Sequence, residues 1–168
     1  MRCNLLFALL ITASAAACGG PISDQFGSGY EGVRWGLPLA DLVGMMPDGD
    51  HYFSTAEGHR AYSVKNDAPI LGVPRLGARV LYHIGKDGGV ESINIGIPYE
   101  RYQELLGVLM SQFGRYTQTR EVGNITYYYW KQDQQILIAV RVTKDPRYGI
   151  ADFGINHLTS KGSAVSAK

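Results

Sequence analysis

Cysteine is nearly absent from this sequence, and its absence removes several chemistries. The chain has 168 residues and two cysteines, Cys3 and Cys18, which both lie at the N-terminal end. Residues 19–168 therefore hold no internal disulfide, no cysteine nucleophile and no thiolate metal site.

An excess of charge of either sign is lacking as well. The sequence has 16 Lys plus Arg and 15 Asp plus Glu, and loss of Arg2 with an N-terminal signal would leave 15 of each. A balanced chain has no long-range attraction to nucleic acid or to an anionic membrane surface. We therefore expect no nucleic-acid partner.

Familiar catalytic motifs are also missing, including the G-x-S-x-G nucleophile elbow and the Gly-rich phosphate loops. Asp48, Asp50 and His51 form one acidic cluster, but it lacks the spacing of a calcium loop and the nitrogen ligands that zinc needs. His83 and Glu91 would be an acid/base pair across a hairpin, although such pairs are more often solvated contacts. We expect no catalytic residue, metal or cofactor. A hydrolase that uses His83 or His51 is the minor alternative.

The first 17 residues have the layout of a secretory signal. Arg2 precedes an apolar run at 5–11, and the small residues 12–17 lead into Cys18. The apolar run is much shorter than the roughly 20 residues that a membrane-spanning helix requires. We expect this segment to be a cleaved signal peptide rather than a membrane anchor.

The residues Ala15-Ala16-Ala17-Cys18 resemble the lipobox of bacterial lipoprotein precursors. The resemblance implies that Cys18 becomes the mature N-terminus, with a diacylglyceryl thioether and a third acyl chain on its amine. Ala15 departs from the Leu usual there, and Ala-x-Ala also fits ordinary signal cleavage, which would leave Cys18 as a free thiol. Gly19 is not the Asp that retains enteric lipoproteins at the inner membrane. The resemblance thus implies an outer-membrane lipid anchor that faces the periplasm.

Composition divides the rest of the chain into three parts. Residues 18–30 begin with the N-terminus that the resemblance implies is lipidated, and their Gly and polar residues predict a flexible tether. Residues 31–157 are numerous enough to fold as one domain. Residues 158–168 have the composition of a disordered tail.

Helical and strand periodicities alternate through 31–157. Apolar spacing predicts a short helix at 37–47 and a longer one at 99–113, which Gly114 ends. Period-2 alternation predicts strands at 51–55, 60–65, 79–84, 91–97, 116–121, 125–131, 135–143 and 150–155, with a hairpin turn at 85–89. This order predicts an α+β fold: a curved antiparallel sheet with two helices packed on one face. It leaves open a degenerate repeat of helix plus meander.

This architecture resembles the small α/β lipoproteins of the outer-membrane assembly machinery and the helix-plus-sheet repeats of periplasmic inhibitor proteins. The phrase WGLPLADLVGMMP at 35–47 is similar to the opening of such lipoproteins. The similarity covers about a dozen residues.

The aromatic run 127–130 is the best candidate for a binding surface. Alternate residues of a strand face opposite sides of the sheet. We assign Tyr128 and Trp130 to the side that the two helices would leave uncovered. Ile70 and Leu71, in a predicted exposed loop at 66–77, complete the predicted surface. The leading hypothesis is a lipid-anchored, non-catalytic module that binds a protein partner or a cell-wall component. The alternative is an inhibitor or immunity protein that inserts the segment 66–77 into a periplasmic enzyme or toxin.

Overall fold

The computed structural model describes residues 22–53, 60–75, 79–132, 134–143, 145, 147 and 150–158. The predicted signal peptide, Cys18 and most of the predicted tail lie outside these residues. Among the helices of the described residues, none has the length and apolar character needed to span a bilayer.

Short helices and antiparallel strands alternate along the described chain. The helices are α1 (Ile22–Phe26), α2 (Leu39–Met45) and α3 (Tyr102–Phe113), and a 3₁₀ turn at Tyr99–Arg101 leads into α3. The strands are β1 (Gly29–Tyr30), β2 (Val33–Arg34), β3 (Asp50–Phe53), β4 (Arg60–Lys65), β5 (Arg79–Ile84), β6 (Val90–Pro98), β7 (Gln118–Val122), β8 (Ile125–Trp130), β9 (Ile136–Thr143) and β10 (Ile150–His157).

Eight of these strands form a single antiparallel sheet in the order β3-β4-β5-β6-β10-β9-β8-β7. It consists of two consecutive four-stranded meanders, and each follows a helix. The last strand of each meander, β6 or β10, lies at the centre, where Ile93 is opposite Ile155. The helix-plus-meander repeat that the sequence left open is therefore present in the topology.

One face of the sheet forms the core. Alternate residues of the two central strands are fully buried, including Ile93 and Ile95 of β6 and Phe153 of β10. Leu105 and Leu109 of α3 pack into the same core, as the spacing of apolar residues predicts. This alternation is the pattern expected of an antiparallel sheet with one face on the core.

The mixed α+β class is confirmed, but the prediction of two helices packed over one face is wrong. The structure is dominated by its sheet. Eight strands at about 4.8 Å spacing extend over about 35 Å, whereas α2 and α3, with 7 and 12 residues, are only about 10 and 18 Å long. Helices of these lengths cover only part of the core face, and Ile22, Phe26, Ile70 and Val73, which lie outside α2 and α3, are buried in the same core.

The prediction of a flexible tether at 18–30 is wrong for residues 22–30. Ile22 is 0% exposed and Phe26 is 3% exposed, and Tyr30 is also buried. The physical reason is the spacing of Ile22 and Phe26 at i and i+4, whereas Tyr30 follows in β1. Within the helix α1, this spacing puts Ile22 and Phe26 on the same side. The Trp35 Nε1–H donates a 2.7 Å hydrogen bond to the carbonyl of Phe26, which fixes the end of α1.

Residues 66–75, the described part of the predicted loop at 66–77, form a loop, but the prediction that Ile70 is exposed is wrong. Ile70 and Val73 exchange two backbone hydrogen bonds in a tight turn, and Ile70 is 2% exposed. Arg75 is buried too, and its guanidinium bonds to the carbonyl of Ala68 and to Glu31. Closing the turn and burying Arg75 draw this segment against the core.

Candidate binding surface

Alternate residues of the eight strands turn away from the core and form a second side of the sheet, here called the open face. Cross-strand pairing defines it as three rows. The first row is Gln118, Tyr129, Ala139, Gly154, Asn94, Leu81, Ser63 and Asp50; the second is Arg120, Tyr127, Arg141, Asp152 and Gly96; the third is Leu137, Asn156, Ser92, His83 and Ala61.

An aromatic pair lies on the β8 side of this face. The rings of Tyr127 and Tyr129 are nearly parallel, with an interplanar angle of 3° and centroids 6.0 Å apart. Both side chains are partly exposed. Partial burial raises the pKa of Tyr129, and the neighbouring Tyr127 adds to the rise while Arg120 opposes it. The Tyr129 phenol is therefore a neutral hydrogen-bonding group at physiological pH.

Charged groups flank the aromatic pair. Arg120 lies opposite Tyr127 on β7, and Arg141 lies opposite Tyr127 on β9. The Nε–H of Arg141 donates to Oδ2 of Asp152 at 2.6 Å, so this guanidinium is held in a cross-strand ion pair. An exposed pair of this kind adds little stability, about 0–1 kcal/mol, but it fixes the direction of the guanidinium.

The centre of the open face is polar and built from small residues. Gly154 is at the middle of the first row, between Ala139 and Asn94. An added Cβ on Gly154 would be 2.9 Å from Oδ1 of Asn94 and 3.8 Å from Nδ2 of Asn156. A glycine there lets the two amide side chains lie across β10. The face thus combines aromatic, cationic and amide groups in adjacent rows.

The structure corrects the side to which the aromatic residues were assigned. Trp130 is 0% exposed, and its Nε1–H donates to the carbonyl of Gly114 at 2.8 Å. Tyr128 faces the same side and packs against Tyr116, with ring centroids 5.3 Å apart. Tyr128 and Trp130 are therefore not on the open face. The reason is the register of β8, which places them opposite Val140 and Ile138 of the core.

The other two predicted surface residues are also poor contact residues. Ile70 is buried, as described above. Leu71 is half-buried and has a positive φ of 51°, an uncommon conformation for a branched residue. Neither lies on the open face, so the structure does not bring the four predicted residues together.

The residues considered for metal or acid/base chemistry have structural contacts. Asp50 pairs with Arg79, and the ring of His51 packs edge-on against Tyr62, with centroids 5.1 Å apart. His83 lies on the open face opposite Ser92. Within the part of the chain that the structure describes, no three His, Cys, Asp or Glu side chains are grouped so that they could hold a metal ion.

Comparisons with known proteins give one distant likeness. No protein-family model matches the chain, and no curated protein matches it. Among solved structures, it is similar to a DUF4309 family protein (YjgB) from Bacillus subtilis, with a TM-score of 0.46 and 16% sequence identity. The match covers 71% of this chain and 78% of that chain. A likeness at this level assigns neither a family nor a function.

Proposed function

We propose that this protein is a lipid-anchored, non-catalytic binding module of the cell envelope that captures a protein partner on the open face. The observation that carries the proposal is the cluster of Tyr127, Tyr129, Arg120 and Arg141 on a partly exposed sheet face. Tyrosine and arginine are enriched among the residues that dominate binding energy at protein interfaces. Two tyrosines whose rings already lie parallel lose little side-chain entropy when a partner covers them.

The dimensions of the face support this function. Eight strands at about 4.8 Å spacing, each about 20 Å long, give an area on the order of 700 Å². A standard protein–protein interface buries about 800 Å² on each partner. Ser63 and Ala61 of β4 are buried, so the accessible part of the open face is smaller than this area and would hold part of such an interface.

The lipid anchor is proposed from the lipobox-like residues 15–18. A single acyl chain binds a bilayer only marginally, whereas two signals already hold a protein firmly. Three chains on Cys18 would keep the module at the membrane throughout its life, and binding would then recruit the partner to that surface.

The alternative is an inhibitor that blocks an enzyme. Insertion of the segment 66–77 into a cleft has little support, because Ile70 and Val73 are buried in their own domain. An inhibitor that used the open face would be a special case of the proposed binding module, with an enzyme as its partner.

Substitution of the aromatic pair tests the proposed surface. The double variant Tyr127→Ser, Tyr129→Ser should lose most of the partner that wild-type protein captures in a crosslinking pull-down from the membrane fraction, with a cell-wall preparation assayed in parallel. Met110→Ser is the matched control, because Met110 is an exposed apolar residue of α3 and lies outside the open face.

Circular dichroism should show that all variants keep the native spectrum. Equal capture by wild type and double variant would remove the open face as the binding surface. Capture of cell-wall material and of no protein would contradict the proposed protein partner and indicate a cell-wall component instead. Intact-mass measurement of the mature protein tests the anchor separately, since an unmodified thiol at Cys18 would contradict it.

A further inference from the structure

We propose that one end of the sheet rests directly on the anionic headgroups of the membrane that holds the lipid. This end, here called the basal end, consists of Arg115, Tyr116, Lys131 and Gln132 around the start of α1. The proposal rests on the proposed acylation of Cys18 and goes beyond it, because acylation alone does not set how the domain is oriented.

The first step is the length of chain between lipid and domain. Three residues, 19–21, separate Cys18 from Ile22. Even fully extended, the four residue steps from Cys18 to Ile22 reach no more than about 14 Å. This distance is smaller than the domain itself, since one strand of the sheet is about 20 Å long. The point where the chain leaves the domain must therefore stay close to the bilayer.

The second step is that this point is fixed in the fold. Ile22 is fully buried, and its backbone N–H donates to Oε1 of Gln132 at 3.0 Å. The Nε2–H of Gln132 in turn donates to the carbonyl of Phe113 at 2.6 Å. The start of α1 is thus tied to the end of β8 and to the end of α3. A tether of three residues would therefore hold the start of α1, the end of β8 and the end of α3 near the membrane.

The third step is the charge of the basal end. Arg115 and Lys131 are both exposed, and the Arg115 guanidinium lies 5.6 Å from the ring centroid of Tyr116. Asp24 is an exposed acidic residue on α1 in the same region. The β5–β6 turn at the same end of the sheet, farther from α1, adds Lys86, Asp87 and the half-buried Glu91. Near-neutral overall charge gives no attraction at long range, but the anchor would let Arg115 and Lys131 approach the lipid phosphates to within a Debye length, about 10 Å. Cationic side chains at that distance favour an anionic lipid surface as the occupant.

The orientation follows from the strand directions. β8 runs from Ile125 to Trp130, so the turn at 123–124 lies at the far end of the sheet from Lys131. Asn124 and Lys131 are seven residue steps apart, or about 23 Å in extended chain. The strands should stand away from the bilayer, with the open face directed sideways and accessible to a partner.

Two single-thiol variants of the mature, acylated full-length protein test this orientation. Lys131→Cys and Asn124→Cys each carry the only free thiol, because Cys18 is acylated and Cys3 is lost with the signal. Loss of the Lys131 charge in the first variant works against the expected result, and Arg115 remains. Each is labelled with the same fluorophore and inserted into vesicles of phosphatidylcholine and phosphatidylglycerol that contain a headgroup-attached quencher. We expect quenching at residue 131 to be several-fold stronger than at residue 124. Equal quenching, or stronger quenching at 124, would overturn the proposal.

A charge reversal tests the contribution of the basal cations. Arg115→Glu should weaken the quenching at residue 131, whereas Lys65→Glu, an exposed position at the far end of β4, should leave it unchanged. Unchanged quenching in Arg115→Glu would overturn the role of charge. Intact mass is measured on the same samples. If the protein is acylated but residue 131 is not quenched preferentially, only the orientation is overturned. If the protein is not acylated, the anchor and the orientation are both overturned.

Discussion

Replacement of Phe26 by alanine would show whether residues 22–30 belong to the folded domain. The Phe26 ring is 3% exposed and lies 6.1 Å from the ring of Phe113 and 6.4 Å from that of Phe153, centroid to centroid. A buried Phe→Ala substitution costs about 3–5 kcal/mol, because it removes the transfer free energy of the ring and leaves a cavity. Phe26 joins α1 to α3 and to the central strand β10, so little collapse around the cavity is expected.

This loss of stability should give a large fall in the melting temperature. For a domain of this size, each kcal/mol lowers the melting temperature by about 3–4 °C, which gives a fall of about 10–20 °C for Phe26→Ala. The measurement is the loss of far-ultraviolet circular dichroism on heating, supported by the urea midpoint at constant m-value.

Gln25→Ala is the control, since Gln25 is exposed on the same helix. An exposed substitution of this kind stays within about 0.5 kcal/mol of wild type. If Phe26→Ala and Gln25→Ala have the same melting temperature, residues 22–30 do not pack as described. In that case the three-residue tether, on which the proposed membrane orientation depends, would also be contradicted.

Three further substitutions test the core and its close contacts. Burial raises the pKa of Tyr82 to about 12, so the unfolded state ionises first and the free energy of unfolding falls by about 2 kcal/mol between pH 10 and 12. Urea midpoints across this range should show the fall. Tyr82→Phe should reduce it, and an unchanged fall would contradict the assignment. Gly107→Ala should stabilise the protein by about 0.5–1 kcal/mol, because α3 gains helix propensity and an added Cβ meets nothing within 4 Å. Gly89→Ala should destabilise it by about 1–3 kcal/mol, because its Cβ would be 2.5 Å from the carbonyl oxygen of Gly36. Thermal melts of the two alanine variants should move in opposite directions, and shifts in the same direction would contradict the described packing.

Local patterns were sufficient to predict most elements of the fold. The strands at 60–65 and 79–84 were predicted with the observed bounds, because apolar alternation is a short-range property. The apolar stripe of α3 likewise predicted the burial of Leu105 and Leu109. The order of strands across the sheet required contacts between residues far apart in sequence, which these patterns do not contain.

The errors at the candidate site have the same origin. Four successive aromatic residues at 127–130 carry no alternation, so only the register with β9 decides which of them are buried. The polar composition of 18–30 predicted a tether, although Ile22 and Phe26 at i and i+4 were a signal of a packed helical turn. Arg75 is buried in the described segment 66–75 through hydrogen bonds that composition does not predict.

The central position of β10 has a consequence for the order of folding. Among the described strands, β10 comes last in sequence, yet it joins the two meanders by pairing with both β6 and β9. Until residues 150–157 have left the ribosome or a translocation channel, β6 and β9 each present an edge with unpaired backbone groups. Such edges pair readily with other chains. Completion of the sheet therefore waits for β10, the last of the described strands.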